Sequence, residues 1–158
     1  MSAAMTAVQG ARRVAPDHGV WQPWLVAWLG ATAIAVVNGI ARRALYDERV
    51  GPMGAHYIAT AVLMALLGAY MWLLARCWPI PTRRTALLIG GAWTALTVVF
   101  EFGLGRFVAG DSWAKLLEQY DLTRGYVWIL IPAWTAIGPA ITRGLRASEG
   151  EIKQEAVA

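Results

Sequence analysis

Residues 86–104 read ALLIGGAWTALTVVFEFGL, an apolar segment with a single charged residue, Glu101, near its end. A helix needs roughly 20 residues, at about 1.5 Å each, to cross about 30 Å of hydrocarbon, and this segment is close to that length. Three other segments have the same character, at about 21–41, 55–75 and 125–142. The sequence therefore predicts an all-α membrane protein, a bundle of four transmembrane helices joined by short loops.

The composition supports this class and argues against others. Of 158 residues, 58% are hydrophobic and 15% are charged, whereas charged residues make up roughly a quarter of an average soluble domain. The net charge of +4 comes from arginines beside the ends of apolar segments, where positive charge sets orientation, so no nucleic-acid partner is expected. The single cysteine, Cys77, excludes an internal disulfide and offers no C-x-x-C pair. No cofactor or metal is predicted.

The charges also predict an orientation. Four crossings place the N-terminus, the loop at 76–85 and the C-terminus on one side, with eight basic residues, against six on the other side. This bias favours both termini in the cytoplasm of a bacterial inner-membrane protein. Residues 1–20 are expected to be a flexible cytoplasmic tail, and residues 143–158 a polar cytoplasmic tail without apolar periodicity. The tryptophans are expected to form interfacial belts near the segment ends.

The loop between the third and fourth segments carries its own pattern. In GDSWAKLLEQYDLTRG, Asp111 or Ser112 can cap a helix start. Aromatic and apolar residues then recur at spacings of three, one and three, which places them on one helical face. They are Trp113, Leu116, Leu117 and Tyr120. We expect an amphipathic interfacial helix at about 111–121, serving either as a cover over the bundle or as a mobile gate.

Polar residues on three helices fall at one depth. Asn38 lies roughly 25 Å along the first helix and Glu101 roughly 22 Å along the third, while His56 opens the second. Asn38 and Arg42 share a helical face, and polar side chains exposed to lipid are costly. We therefore predict a buried cluster of Asn38, Arg42, His56 and Glu101, with Arg106 as a competing partner for the carboxylate.

Two interpretations of this cluster stay open. An Arg42–Glu101 ion pair, tied by Asn38 and His56, would fix helix packing. Alternatively, the histidine and the carboxylate handle protons, since ionisable groups inside membranes mark functional sites. Around the same level, Arg43, Trp113, Tyr120 and Asp121 are candidates for a headgroup site or a gate.

The segment FEFGLGRFVAGDSWAKLLEQYDLTRGYVW, at 100–128, resembles an uncharacterised family of small bacterial four-helix membrane proteins. Asn38-Gly39 with Arg42 and His56 extend the likeness, which covers residues 21–142. Characteristic positions match Glu101, Phe102, Gly103, Gly105, Gly110, Ser112, Trp113, Leu116, Tyr120, Asp121 and Gly125. The resemblance implies the fold and an inner-membrane location. It implies no activity.

Three functions remain as hypotheses. The first is a non-enzymatic structural or accessory protein, associated with a membrane-protein partner or with itself. The second is a small transporter or channel that uses Glu101 and His56. The third is a lipid-headgroup binding protein or membrane enzyme whose outer pocket holds a phosphate. No Walker loop, H-E-x-x-H helix or G-x-S-x-G elbow occurs in the sequence, so no catalytic residue is predicted.

Overall fold

The computed structural model describes residues 18–45 and 47–155. This part of the chain is helical throughout its regular elements and contains no strand. Its α-helices are α1 (His18–Leu45), α2 (Asp47–Cys77), α3 (Arg83–Gly103), α4 (Trp113–Glu118) and α5 (Leu130–Glu155). A π-helical turn, Leu104–Val108, extends α3, and a 3₁₀ turn, Leu122–Arg124, follows α4. Residues 1–17 of the predicted N-terminal tail lie outside the described residues.

Three helices in the described residues are long and apolar enough to cross a membrane. They are Gly19–Leu45, Asp47–Cys77 and Arg83–Val108. The predicted all-helical class is confirmed at this level, and all three helices run beyond their predicted ends. In α2, Gly51 separates the additional N-terminal residues from the rest of the helix. Its φ of 75° interrupts the helix just before Pro52. A glycine tolerates that left-handed conformation, and a proline is favoured at the start of the helical run that follows.

The fourth predicted segment differs most from the structure. Asp121 caps the 3₁₀ turn through a 2.9 Å bond from the Thr123 amide, and Gly125 ends the turn with a φ of 85°. The chain is therefore non-helical at residue 125, where a helix was predicted, and α5 starts at Leu130. At the other end α5 continues to Glu155, through most of the predicted tail.

The helices pack as a square bundle in which α1 and α5 each contact both α2 and α3. Trp24 and Trp93 are fully buried at its centre, with ring centroids 5.8 Å apart. The Trp93 indole N–H donates to the Trp24 carbonyl at 2.8 Å, and the Trp24 indole donates to the Trp78 carbonyl at 3.1 Å. These tryptophans are core residues joining α1, α3 and the α2–α3 turn, so the expectation of interfacial belts is wrong for them.

Glycine allows the closest approach between helices. A Cβ on Gly90 of α3 would collide with the Ala136 carbonyl of α5, a backbone group that cannot rotate away. Gly138 of α5 similarly leaves room for the end of Met71. These contacts hold α5 alongside α3 and α2, and so fix the position of the segment that precedes α5.

Candidate functional site

Glu101 lies in the last turn of α3, and its carboxylate is bound by two aromatic donors. The Tyr120 hydroxyl donates to Oε2 at 2.6 Å, and the Trp128 indole N–H donates to the same oxygen at 2.9 Å. Tyr120 follows α4 and Trp128 precedes α5. The carboxylate therefore connects three parts of the chain at one end of the bundle.

The local packing of α4 explains how Tyr120 reaches Glu101. The Ser112 side chain, one of the two predicted cap candidates, caps α4 by accepting from the Lys115 amide at 3.3 Å. Leu116 packs into the space left by the missing side chain of Gly105 and is 7% exposed. The rings of Phe102 and Tyr120 pack at a tilt, with centroids 5.7 Å apart. The short helix is thus packed against the π-helical end of α3.

The predicted amphipathic face of α4 is only partly buried. Leu116 is covered, whereas Trp113 is 55% exposed and Leu117 is 59% exposed. The Trp113 ring stacks on Phe102 at 6.2 Å. The α4 helix covers the bundle through Leu116 and leaves two large apolar side chains facing outward.

Electrostatics around Tyr120 and Asp121 follow from these contacts. Burial raises the pKa of the Tyr120 hydroxyl, and its hydrogen bond to Glu101 raises that pKa further. The phenol therefore stays protonated and keeps donating. Asp121 is different, because the side-chain and backbone hydrogen bonds from Thr123 lower its carboxyl pKa. Asp121 acts as a cap for the 3₁₀ turn, and its Oδ2 lies 3.4 Å from Nε of Arg124.

The expected Arg42–Glu101 ion pair is not formed, although both residues are described. Arg42 instead faces Asp47, with Nε 3.7 Å from Oδ1. Asp47 is a sequence neighbour at the start of α2, so it reaches Arg42 more easily than a residue on α3 can. Arg106 lies exposed on the π-helical turn and forms no ion pair with any described residue. The carboxylate's partners are the two aromatic donors.

Asn38 and His56 are buried as predicted, but each side chain forms a hydrogen bond with a backbone group of another segment. The Asn38 amide donates to the Ala59 carbonyl at 3.1 Å and joins α1 to α2. His56 Nε2 accepts the Val127 amide at 3.2 Å and joins α2 to the segment before α5. Because Nε2 accepts, the neutral ring carries its proton on Nδ1. The predicted cluster is therefore divided among separate contacts.

A cavity of about 650 Å³ opens between the end of α1, the start of α2 and α4. It is lined by three basic residues, Arg42, Arg43 and Lys115, together with His56. We call it the polar cavity. Two carboxylates also line it, and each already faces a cation: Asp111 bonds to Lys115, and Glu118 bonds to Arg124. The polar cavity contains two of the predicted cluster residues and one of the predicted headgroup residues.

A second cavity, of about 160 Å³, lies deeper, between α1, α3 and α5. Four aromatic residues and Glu101 line it, and we call it the aromatic cavity. The aromatic residues are Trp28, Trp93, Phe100 and Trp128. The two cavities share Val36 among their lining residues. Glu101 and His56, predicted to act together, therefore border different cavities.

Sequence reasoning missed several residues of these sites. Trp28 lines the aromatic cavity and donates to the Thr97 hydroxyl at 3.1 Å. Its position on one face with Trp24 and Ala31 marks it as inward-facing, but nothing in the sequence pairs it with α3. Trp128 lies at the depth of Glu101, and that shared depth is the signal that could have indicated their contact.

A scan against protein-family models, a search of curated proteins and a search of solved structures each found no match to this chain. The resemblance to a family of small bacterial membrane proteins therefore stays a prediction.

Proposed function

We propose that the protein is a non-enzymatic, multi-pass membrane protein that holds the headgroup of an anionic phospholipid in its polar cavity. The location proposed is the bacterial inner membrane, with the lipid bilayer as the main partner. The observation that carries the proposal is a cavity of about 650 Å³ lined by Arg42, Arg43 and Lys115. Its size is in the range of about 300–1,000 Å³ found for ligand sites.

Membrane insertion is supported by the outer surface of the bundle. Large apolar side chains point outward along the helices, such as Val26 at 60%, Val37 at 64% and Val99 at 71% exposure. Soluble monomers rarely expose continuous apolar surface beyond a few hundred Å². Lipid is the solvent that such a surface fits.

A fourth crossing by α5 is supported by its contacts at both ends. Near its start, Trp128 bonds to Glu101, and farther along the helix the Arg143 guanidinium donates to the Pro81 carbonyl at 3.2 Å. Pro81 lies in the turn between α2 and α3, at the opposite end of α3 from Glu101. The α5 helix thus runs the length of α3, and four crossings place both termini on one side, proposed as cytoplasmic.

The polar cavity suits an anion through its two arginines, because Lys115 is paired with Asp111 and Glu118 is paired with Arg124. Arg42 Nε and Asp47 Oδ1 lie 3.7 Å apart and are both buried without a hydrogen-bond partner. Arg43 is exposed at the mouth. Guanidinium groups bind phosphate through paired N–H donors, and both arginines line this cavity.

Headgroup binding is favoured over the other hypotheses by the same contacts. The structural hypothesis relied on a self-neutralising Arg42–Glu101 pair, whereas Arg42 borders the polar cavity and Glu101 borders the aromatic one. A transport route through Glu101 and His56 would need these residues in one passage. The accessory role with a protein partner or a second copy remains an alternative outcome of the experiment below.

The experiment is native mass spectrometry of the full chain in mild detergent, titrated with phosphatidylglycerol and with phosphatidylcholine. We expect preferential retention of phosphatidylglycerol and a loss of affinity of about tenfold in Arg43→Gln, since a charge-assisted contact contributes about 1.5–3 kcal/mol. Arg84→Gln is the matched control. Arg84 is also an exposed arginine, but it lies at the end of α3 opposite to Glu101 and does not line the polar cavity.

Equal retention of both lipids, or equal affinity in Arg43→Gln and Arg84→Gln, would contradict the proposal. Competition by inorganic phosphate alone, with no preference between lipids, would assign the cavity to a free anion. A stoichiometric second protein in place of lipid would favour the accessory role.

A further inference from the structure

The aromatic cavity has a chemistry that the proposed lipid site does not use. Its wall consists of four aromatic residues, aliphatic and hydroxyl side chains, and one carboxylate, Glu101. No basic side chain among the described residues forms an ion pair with Glu101. A carboxylate that borders a mostly apolar wall is stabilised by a counter-charge, because apolar groups do not solvate it.

The indole hydrogens of the wall are already committed. The indole N–H groups of Trp28, Trp93 and Trp128 donate to Thr97, to the Trp24 carbonyl and to Glu101 respectively. What these indoles can offer a ligand is therefore π-electron surface. An anion would find no free indole donor among them, so the wall favours a cation.

The arrangement of Glu101 leaves part of its carboxylate available. Tyr120 and Trp128 both bond to Oε2, and within the described chain no hydrogen bond reaches Oε1. The group is held in position through one oxygen. The second oxygen can face a ligand without breaking the contacts that fix the carboxylate.

A bare metal ion does not fit this wall. Hard cations need several oxygen ligands and favour carboxylates and carbonyls, whereas this wall contains one carboxylate, Glu101, and is otherwise mostly aromatic and aliphatic. An alkylammonium group needs no such ligand set. Aromatic rings attract it through their quadrupoles and a carboxylate adds charge pairing.

We propose that the aromatic cavity is a binding site for a small alkylammonium cation, held by Glu101 and by the rings of Trp28, Phe100 and Trp128. The volume of about 160 Å³ has room for roughly five water-sized groups at about 30 Å³ each. Tetramethylammonium is a cation of that size. This inference is independent of lipid binding in the polar cavity.

The test is isothermal titration of the full chain in detergent with tetramethylammonium chloride, against sodium chloride at equal ionic strength. The ligand control is tert-butanol, a neutral molecule with the same number of non-hydrogen atoms as tetramethylammonium. We expect saturable binding of the cation and none of the alcohol. Glu101→Gln should weaken binding at least tenfold, while Glu118→Gln, which removes a carboxylate from the other cavity, should leave it unchanged.

A second variant keeps the test decisive if Glu101→Gln fails to fold. Trp28→Leu removes one ring and should weaken binding several-fold, whereas Trp78→Leu, at the opposite end of the bundle, should not. No saturable binding to the folded wild type, equal binding of tert-butanol, or wild-type affinity in Glu101→Gln would each overturn the inference. Phosphatidylglycerol retention is measured separately through Arg43, so either site can fail alone.

Discussion

The polar and aromatic cavities adjoin at Val36, yet the ion pairs of the first and the hydrogen bonds of Glu101 and Trp28 in the second join residues at very different sequence separations. Ion pairs at the polar cavity join residues close in sequence, Arg42 to Asp47 and Lys115 to Asp111. Hydrogen bonds at the aromatic cavity span 19 residues for Tyr120 to Glu101 and 69 for Trp28 to Thr97. Near helix ends, a charge can use a neighbour or water. Deeper in the bundle, Glu101 and Trp28 find their partners on other segments, while a hydroxyl such as that of Thr32 bonds to a carbonyl of its own helix.

The largest effect is expected where α3 meets α5. Gly90→Val should lower the free energy of unfolding by about 3 kcal/mol, because the new side chain collides with the Ala136 carbonyl. Gly91→Val is the matched control, since a Cβ there meets nothing within 4 Å. Thermal unfolding followed by circular dichroism compares them. Equal destabilisation of both variants would contradict the close approach of α3 and α5.

The next effect concerns the contact between α4 and Glu101. Tyr120→Phe removes a hydrogen bond to the carboxylate and should cost about 2 kcal/mol locally, in the range for bonds to charged groups. Hydrogen exchange at residues 112–121 should accelerate about thirtyfold at that cost. Tyr57→Phe, at a 44% exposed tyrosine, should leave exchange there unchanged. Unaltered exchange in Tyr120→Phe would mean that Leu116 alone holds α4.

A smaller effect is expected at His56, which lines the polar cavity. His56→Leu leaves the Val127 amide without its acceptor. The free energy of unfolding should fall by about 1 kcal/mol, the lower end for an unsatisfied donor, because Val127 is only half-buried. His56→Gln, which can still accept, should recover part of this loss. Chemical unfolding measures both variants. If leucine and glutamine behave alike, the histidine acts by packing and not as an acceptor.

The smallest effect is a titration. The pKa of the Tyr120 hydroxyl is raised in the folded state, so the protonated phenol contributes to the stability of that state. The contribution is fully present below the unfolded pKa of about 10. This contribution is lost as the pH rises through the higher folded pKa. The measurement is the absorbance of the phenolate form as a function of pH. The curves for wild type and Tyr120→Phe should differ only above about pH 10. A difference that titrates near or below that pH would place Tyr120 in water.

Part of the site was predictable from sequence. The burial of Asn38 and His56 follows from their depth and from the cost of exposing polar groups to lipid, and Ser112 is one of two cap candidates that the sequence displays. Spacing placed Leu116 on one face with Trp113 and Leu117 but did not indicate which of the three is buried. The partner of Glu101 was predicted wrongly, because charge complementarity suggested Arg42 and ignored aromatic N–H and O–H donors. Both donors lie in the segment between α3 and α5, whose path depends on how α4 packs against Gly105.

The amino-acid sequence by itself determined the helical class, the apolar helices and the short cap of α4, since these depend on hydrophobic runs and on contacts within a few residues. Tertiary structure decided which helices are neighbours, placed Trp24 and Trp93 in the core and divided the polar residues between two cavities. The physical reason is that a buried polar group is satisfied by whichever donor the packing brings within about 3 Å. That distance depends on the whole bundle and not on sequence spacing.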